Sequence, residues 1–197
     1  MARKIFFSFH YERDAWRASQ VRNSNVVSSD DRYGFIDKVD WESIKKNGDD
    51  AIKHWIDDQL ENTSVTAVLI GAETASREWV QYEIARSWNR GNGLVGVRIE
   101  GLKDQDQQTD AQGRNPFDDF TLPDGTRLSS VCKDYNWNAD EGRKNFGKWA
   151  EEAADMRAKY AADDEIVLLR QEKKEASKGR SVSVSAGFAP RSPWSSR

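Results

Sequence analysis

Residues 64–71 read Ser64-Val65-Thr66-Ala67-Val68-Leu69-Ile70-Gly71, a β-branched, uncharged run closed by glycine, which is the pattern of a strand buried on both faces. Its neighbours decide the fold class. On the amino side, Asp49 to Leu60 carries Ile52, Trp55, Ile56 and Leu60, an i, i+3, i+4, i+8 stripe that packs one face of a helix. On the carboxyl side, Ser76 to Arg90 places Val80, Ile84 and Trp88 on one stripe, and Leu94 to Ile99 resumes a strand pattern after Gly91-Asn92-Gly93. Further back, Lys4-Ile5-Phe6-Phe7-Ser8-Phe9-His10 is a short run rich in aromatics that predicts the first central strand. Strands that alternate with helices predict a doubly wound α/β domain, with a mostly parallel sheet and right-handed crossovers. Ligands of such sheets bind outside the carboxyl ends of the strands. That rule points to Phe9, His10 and Tyr11, to Gly71 through Arg77, and to Glu100 onward.

The remaining segments are less regular. Tyr11 to Gln20 is polar around Trp16 and predicts only a short helix, followed by loop as far as Tyr33-Gly34-Phe35. Glu100 to Ser130 is polar, contains Asn115-Pro116-Phe117 and Pro123-Asp124-Gly125, and reads as a long loop beside the carboxyl edge. Asp140 to about Tyr160 carries Phe146, Trp149, Ala153, Met156 and Tyr160 on a helical stripe, and a further helix is expected from about Asp164 to Glu175. The expected organisation is a domain over residues 1–155, a C-terminal helical extension over 156–176, and a flexible basic tail rich in Ser, Gly and Pro over 177–197.

Composition removes several function classes. The 30 basic and 33 acidic residues are mixed along the chain and leave a net charge of −3, which is no footprint for nucleic acid. No stretch approaches the roughly 20 apolar residues that cross a bilayer, and the first residues lack a signal peptide pattern, so a soluble, cytoplasmic protein is expected. One cysteine, Cys132, excludes an internal disulfide, and two histidines, His10 and His54, form no metal-ligand cluster.

Gly91-Asn92-Gly93-Leu94-Val95-Gly96 matches the spacing of a dinucleotide fingerprint, but it follows a helix and opens a strand, so it reads as a helix C-cap and turn. No Gly-x-x-x-x-Gly-Lys-Ser/Thr loop is present. Within Glu78-Trp79-Val80-Gln81-Tyr82-Glu83-Ile84, helical geometry puts Trp79, Glu83, Arg86 and Arg90 on one face beside the buried stripe. Periodicity alone leaves Glu83 as a surface partner of Arg86 or Arg90, or as something more. His10 ends the first strand where a crevice is expected, and its imidazole can hold a phosphate or a ribose hydroxyl or simply sit in a turn. Asp37, followed by Asp40 and Trp41, can anchor a ribose or initiate a turn.

Three segments resemble the TIR-like family of the Thoeris anti-phage type: Lys4 to Tyr11, Asn62 to Gly71, and Arg77-Glu78-Trp79-Val80-Gln81-Tyr82-Glu83-Ile84. Asn115-Pro116-Phe117-Asp118, Tyr135-Asn136-Trp137 and Asp140-Glu141-Gly142 are similar to later parts of the same family, so the resemblance spans roughly residues 3 to 150. It implies a flavodoxin-like or TIR-like sheet and cleavage of NAD at the nicotinamide-ribose bond, as a glycohydrolase or ADP-ribosyl cyclase. Glu83 is the implied catalytic carboxylate, and Ser8, Phe9, His10, Asp37 and Trp79 are candidate substrate contacts. NAD is then a substrate rather than a cofactor, and no metal is expected. The implied product is a cyclic ADP-ribose-type signal for a separate effector, with a phage component as a possible trigger and possible homo-oligomers, and with no nucleic acid or membrane partner. Two other readings stay open: a non-catalytic scaffold or sensor that acts by assembly, and a nucleoside deoxyribosyltransferase-like enzyme. The few apolar groups of the tail cannot offset its ordering entropy. Deleting residues 177–197 should therefore leave the melting temperature nearly unchanged, and a large drop would show that the tail docks.

Overall fold

The computed structural model describes residues 3–24, 32–34, 38–161 and 164–169. Five parallel strands, β1 (Ile5–Ser8), β2 (Arg32–Tyr33), β3 (Val65–Ile70), β4 (Gly93–Arg98) and β6 (Asp134–Asn136), pair in the order β2-β1-β3-β4-β6. Helix α1 (Tyr11–Arg22) links β1 to β2, α2 (Lys38–Lys46) and α3 (Asp49–Leu60) precede β3, α4 (Glu78–Asn89) links β3 to β4, and α5 (Gly142–Arg157) follows β6. The doubly wound α/β fold expected from the alternation is the fold observed.

Strand periodicity divides the core. Phe7, Ala67, Leu69, Val95 and Val97 pack with Ala18 and Val21 of α1 and with Phe146 and Trp149 of α5. Val68, Ile70 and Leu94 meet Val80, Ile84 and Trp88 of α4 on the opposite face, while Phe6 meets Ile52, Ile56 and Leu60 of α3. Because side chains alternate along a strand, Ser8 shares the face of Phe6 and lies under α4. Phe6 and Phe7 are both fully buried, as a strand interior to a parallel sheet requires.

The chain leaves β1 for β2 on one side and returns to β3 on the other, which makes the β1/β3 junction the topological switch point of the sheet. At the other end of α4, Gly91 (φ 94°) closes the helix: its N–H reaches Trp88 O and that of Asn92 reaches Ser87 O, both at 2.9 Å. This is a Schellman C-cap. The glycine pattern that imitates a dinucleotide fingerprint is accordingly a helix terminus that opens β4.

Several local expectations change. The helix expected to be short, α1, runs 12 residues, and its apolar period is faint because its inner face buries Asp14 and Arg17 as an ion pair beside only Ala18 and Val21. The segment read as a long polar loop is packed: Phe117, Phe120, Leu122 and Leu128 are buried, and β5 (Phe120–Thr121) pairs antiparallel with β7 (Val167–Leu168). That pairing replaces the start of the helix expected from Asp164. It is supported by Trp88 Nε1 donating to Asp164 O at 2.7 Å and by Ile166 N donating to Asn89 Oδ1 at 3.1 Å. Positions beyond 169, including the expected tail, lie outside the described residues.

Two glycines separate close approach from mere flexibility. A Cβ on Gly93 would lie 2.4 Å from the Ala153 main chain of α5, whereas one on Gly147, inside α5, would meet nothing within 4 Å. Gly93→Ala should cost about 1–3 kcal/mol by overpacking. Gly147→Ala should gain up to about 1 kcal/mol by restricting the unfolded chain. Thermal melts should therefore move in opposite directions.

Candidate active site

A cleft of about 210 Å3 opens at the carboxyl end of β1, bounded by the amino end of α1, by α2 and α3, and by the start of α4. One wall is aromatic. Ring centroids step from Phe9 to Tyr11 (6.1 Å), from Tyr11 to Trp41 (5.8 Å) and from Trp41 to Trp55 (5.8 Å), and Trp79 faces the same space from α4. Gly34 closes the back, where its φ of 84° and a position 2.4 Å from Phe7 O for any Cβ leave no room for a side chain.

Glu83 projects into this cleft from the middle of α4 and is 7% exposed. The stripe Val80, Ile84 and Trp88 buries one side of the helix, which rotates Trp79 and Glu83 toward the cleft. The carboxyl oxygen Oε2 accepts a hydrogen bond of 2.5 Å from Ser8 Oγ. Burial pushes the Glu83 carboxyl up to about 8, opposed only by that Ser8 bond. Near neutral pH the resting side chain is therefore mostly protonated. The surface pairing that periodicity allowed is not formed, because Arg86 turns away to Asp57 of α3 (2.6 and 3.1 Å) and Arg90 lies exposed past the helix end.

His10, buried, lies two residues past the end of β1 and caps α1, its carbonyl accepting from Arg13 N (3.3 Å) and Asp14 N (2.8 Å). Its Nδ1 has no hydrogen-bond partner among the described residues. Burial, helped by the positive charge of Arg77, holds its pKa below the usual histidine range, so the imidazole is neutral and bears on the cleft as a dipole. Two cations line the mouth. Lys45 of α2 binds Glu12 of α1 (2.9 Å) and Glu42 (3.4 Å), and Arg77 binds Glu73.

Of the residues singled out in the sequence, Phe9, His10, Trp79 and Glu83 converge on this one space. Ser8 does not line it. It is fully buried and meets Glu83 from beneath. Asp37 lies outside the described residues. The segment after β4 also stays out of the cleft. It is fastened to α1 instead: Arg17 donates to Leu102 O (2.9 Å) and Gln108 O (3.1 Å), and Arg13 forks onto Asp110 with two bonds of 2.9 Å. Among the described residues no group of three or more His, Cys, Asp and Glu could hold a metal ion, and no helix is long and apolar enough to cross a membrane.

The family model described as "Thoeris protein ThsB, TIR-like domain" matches residues 6–104, which include β3, α4, all of β1 but its first residue, and every residue lining the cleft. The chain belongs to this family. A Bacillus cereus (strain MSX-D12) protein, named "Putative cyclic ADP-D-ribose synthase ThsB1", is 35% identical over 190 residues, covering 76% of this chain and 99% of its own length.

Within this ThsB-type domain Lys45 and Trp55 are cleft residues that the sequence pattern does not single out. Trp55 has the period of a core residue, and its ring serves both purposes, meeting Trp41 edge to face and lining the cleft. Arg77 lay within the segment that the carboxyl-edge rule marked. Lys45 had no signal without α2. The buried carboxyl also has a thermodynamic signature. Folded Glu83 keeps its proton up to about 8, whereas an unfolded glutamate loses it near 4.3. The associated stability is complete at acid pH and is lost as pH rises through that window. Glu83→Gln, which never ionises, should thus melt progressively higher than the parent as pH rises from about 5 to about 9, by up to a few kcal/mol of stability. A difference independent of pH would show that the carboxyl is not desolvated.

Proposed function

We propose that this ThsB-family chain cleaves the nicotinamide-ribose bond of NAD at Glu83 and makes a cyclic ADP-ribose-type signal. The observation that carries the reading is a buried carboxyl, with no cation partner among the described residues, that faces an aromatic-walled cleft at the switch point of the sheet. The name of the Bacillus cereus relative supports the same chemistry.

The nicotinamide ring of NAD is cationic and leaves with the electrons of the glycosidic bond, so departure needs no general acid. What the reaction lacks in water is stabilisation of the oxocarbenium-like ribose. A carboxylate held against that ribose in a dry site supplies it. Glu83 rests protonated, and a bound cationic ring beside it favours the charged form, so substrate itself promotes ionisation of the catalyst. The aromatic wall stacks on the flat rings and excludes water, which favours attack on the ribose by a second nucleophilic atom of the same molecule. His10, Arg77 and Lys45 are suited to the diphosphate, for which the two cations would exchange their glutamate partners. In the Thoeris setting the product would be a diffusible message to a separate effector, made when a phage component engages this protein, alone or as a homo-oligomer.

Nicotinamide release by the purified chain, alone and with phage lysate, tests the reading. Glu83→Gln should lower it roughly 100- to 1000-fold, the usual cost of one preorganised electrostatic contact, while the fold survives. For the parent, kcat/KM should rise with pH toward a midpoint of about 8, since that ratio reports the free enzyme. The midpoint in kcat should lie lower, because the bound cation favours the carboxylate. Parental turnover by the Gln variant would remove the proposal in favour of a scaffold that acts by assembly.

A further inference from the structure

We propose that Ser8 is the positioning residue of this site: its buried hydroxyl holds Glu83 Oε2, so that the other carboxyl oxygen alone is presented to the ribose. The inference rests on the reading of Glu83 as the catalytic carboxylate and adds a residue that never touches substrate. Ser8 is the last residue of β1, paired in register with Val68 of β3, and is 0% exposed. Strand alternation points it at α4, and the 2.5 Å bond from its Oγ crosses 75 positions of sequence to reach Glu83. Among the described residues it is the one hydrogen-bond partner of that carboxyl, and no cation contributes to stabilising the charged form.

A carboxylate in such a place has two needs that a single donor meets. A glutamate on a helix rotates about its side-chain torsions, and losing the bond to β1 frees the carboxyl to turn within the cleft. The hydroxyl also favours the ionised form, since an O–H directed at a carboxylate oxygen is a charge-assisted bond. Without it, desolvation acts unopposed and the group holds its proton to still higher pH.

Ser8→Ala removes one oxygen from a strand residue and leaves its other contacts in place. The test follows the Glu83 carboxyl carbon by NMR on the full chain, labelled with 13C-glutamate and assigned by loss of its signal in Glu83→Gln. Nicotinamide release is measured across the same pH range. In Ser8→Ala the titration midpoint should move up by about one pH unit, and the kcat/KM profile should move with it, giving about tenfold less turnover at neutral pH and recovery in alkali. A role confined to packing would lower the melting temperature and leave both midpoints in place, and that result overturns the proposal. Ser8→Cys keeps the shape and offers a weaker donor, so a smaller shift in the same direction is expected from it. That variant carries the test should the alanine variant fail to fold. If the midpoint stays put in Ser8→Ala while Glu83→Gln is inactive, Ser8 alone is excluded. If Glu83→Gln turns over like the parent, the catalytic reading falls and the positioning role falls with it.

Discussion

A parallel sheet that winds in both directions from β1 has to open between the carboxyl ends of β1 and β3, because the connections that follow those strands depart on opposite sides. This crevice is a consequence of connectivity, and every feature of the site is an answer to it. Helix α1 begins at its rim, α4 crosses its other wall, and residues from the first turn of α1 and the first two turns of α4 line it. The rigidity comes from the strands themselves: Phe6, Phe7 and Ser8 are clamped between the helix layers with no exposure above 1%. A carboxyl tied to such a strand has little freedom to drift.

The site departs from what packing alone would choose. Filling the place of Glu83 with an apolar side chain would continue the stripe of Val80 and Ile84, whereas a carboxyl there surrenders its hydration for a single hydroxyl. The fold elsewhere avoids that situation. Asp14, also buried, sits beside Arg17, and Arg98 engages both Asp134 and Glu100. Among the described residues the other buried acids, Asp14 and Glu100, each have an arginine within 4 Å, so a carboxyl without a cation is a local conflict of the kind that functional sites retain.

The parts of this arrangement that depend on apolar period were legible in the sequence. Helices α3 and α4 and strands β1, β3 and β4 have stripes or β-branched runs strong enough to specify them, and they alone imply the switch point. Elements made of polar residues were not legible. The inner face of α1 is Asp14 and Arg17, whose burial depends on partners 85 or more positions away, such as Leu102 and Gln108. Strand β6 is Asp134-Tyr135-Asn136, three residues with no apolar pattern, which are held beside β4 by tertiary contacts of Asp134 with Arg98 and Asn115 and of Tyr135 with Trp149. For the site, strand alternation alone had already put Ser8 and Phe9 on opposite faces, yet both were expected to touch substrate. What separates them is the course of α4 over one face of β1, a tertiary fact that no local pattern contains.

The cleft's charges follow the same logic as its carboxyl. Lys45 and Arg77 are each engaged by a glutamate at the rim, so the cleft carries no exposed excess of positive charge, and Glu83 adds no negative charge while protonated. A ligand that brings both an anionic diphosphate and a cationic ring would change both balances at once: the rim cations would gain a stronger partner, and the charge of the ring would favour loss of the Glu83 proton to solvent. A ligand with only one of these charges gains only one of the two. Discrimination would then arise from coupling between the two ends of the molecule across the aromatic wall, because neither end alone meets a preformed opposite charge. Sites built this way reject fragments more sharply than a sum of contacts would suggest, since each half creates part of the field that the other half needs.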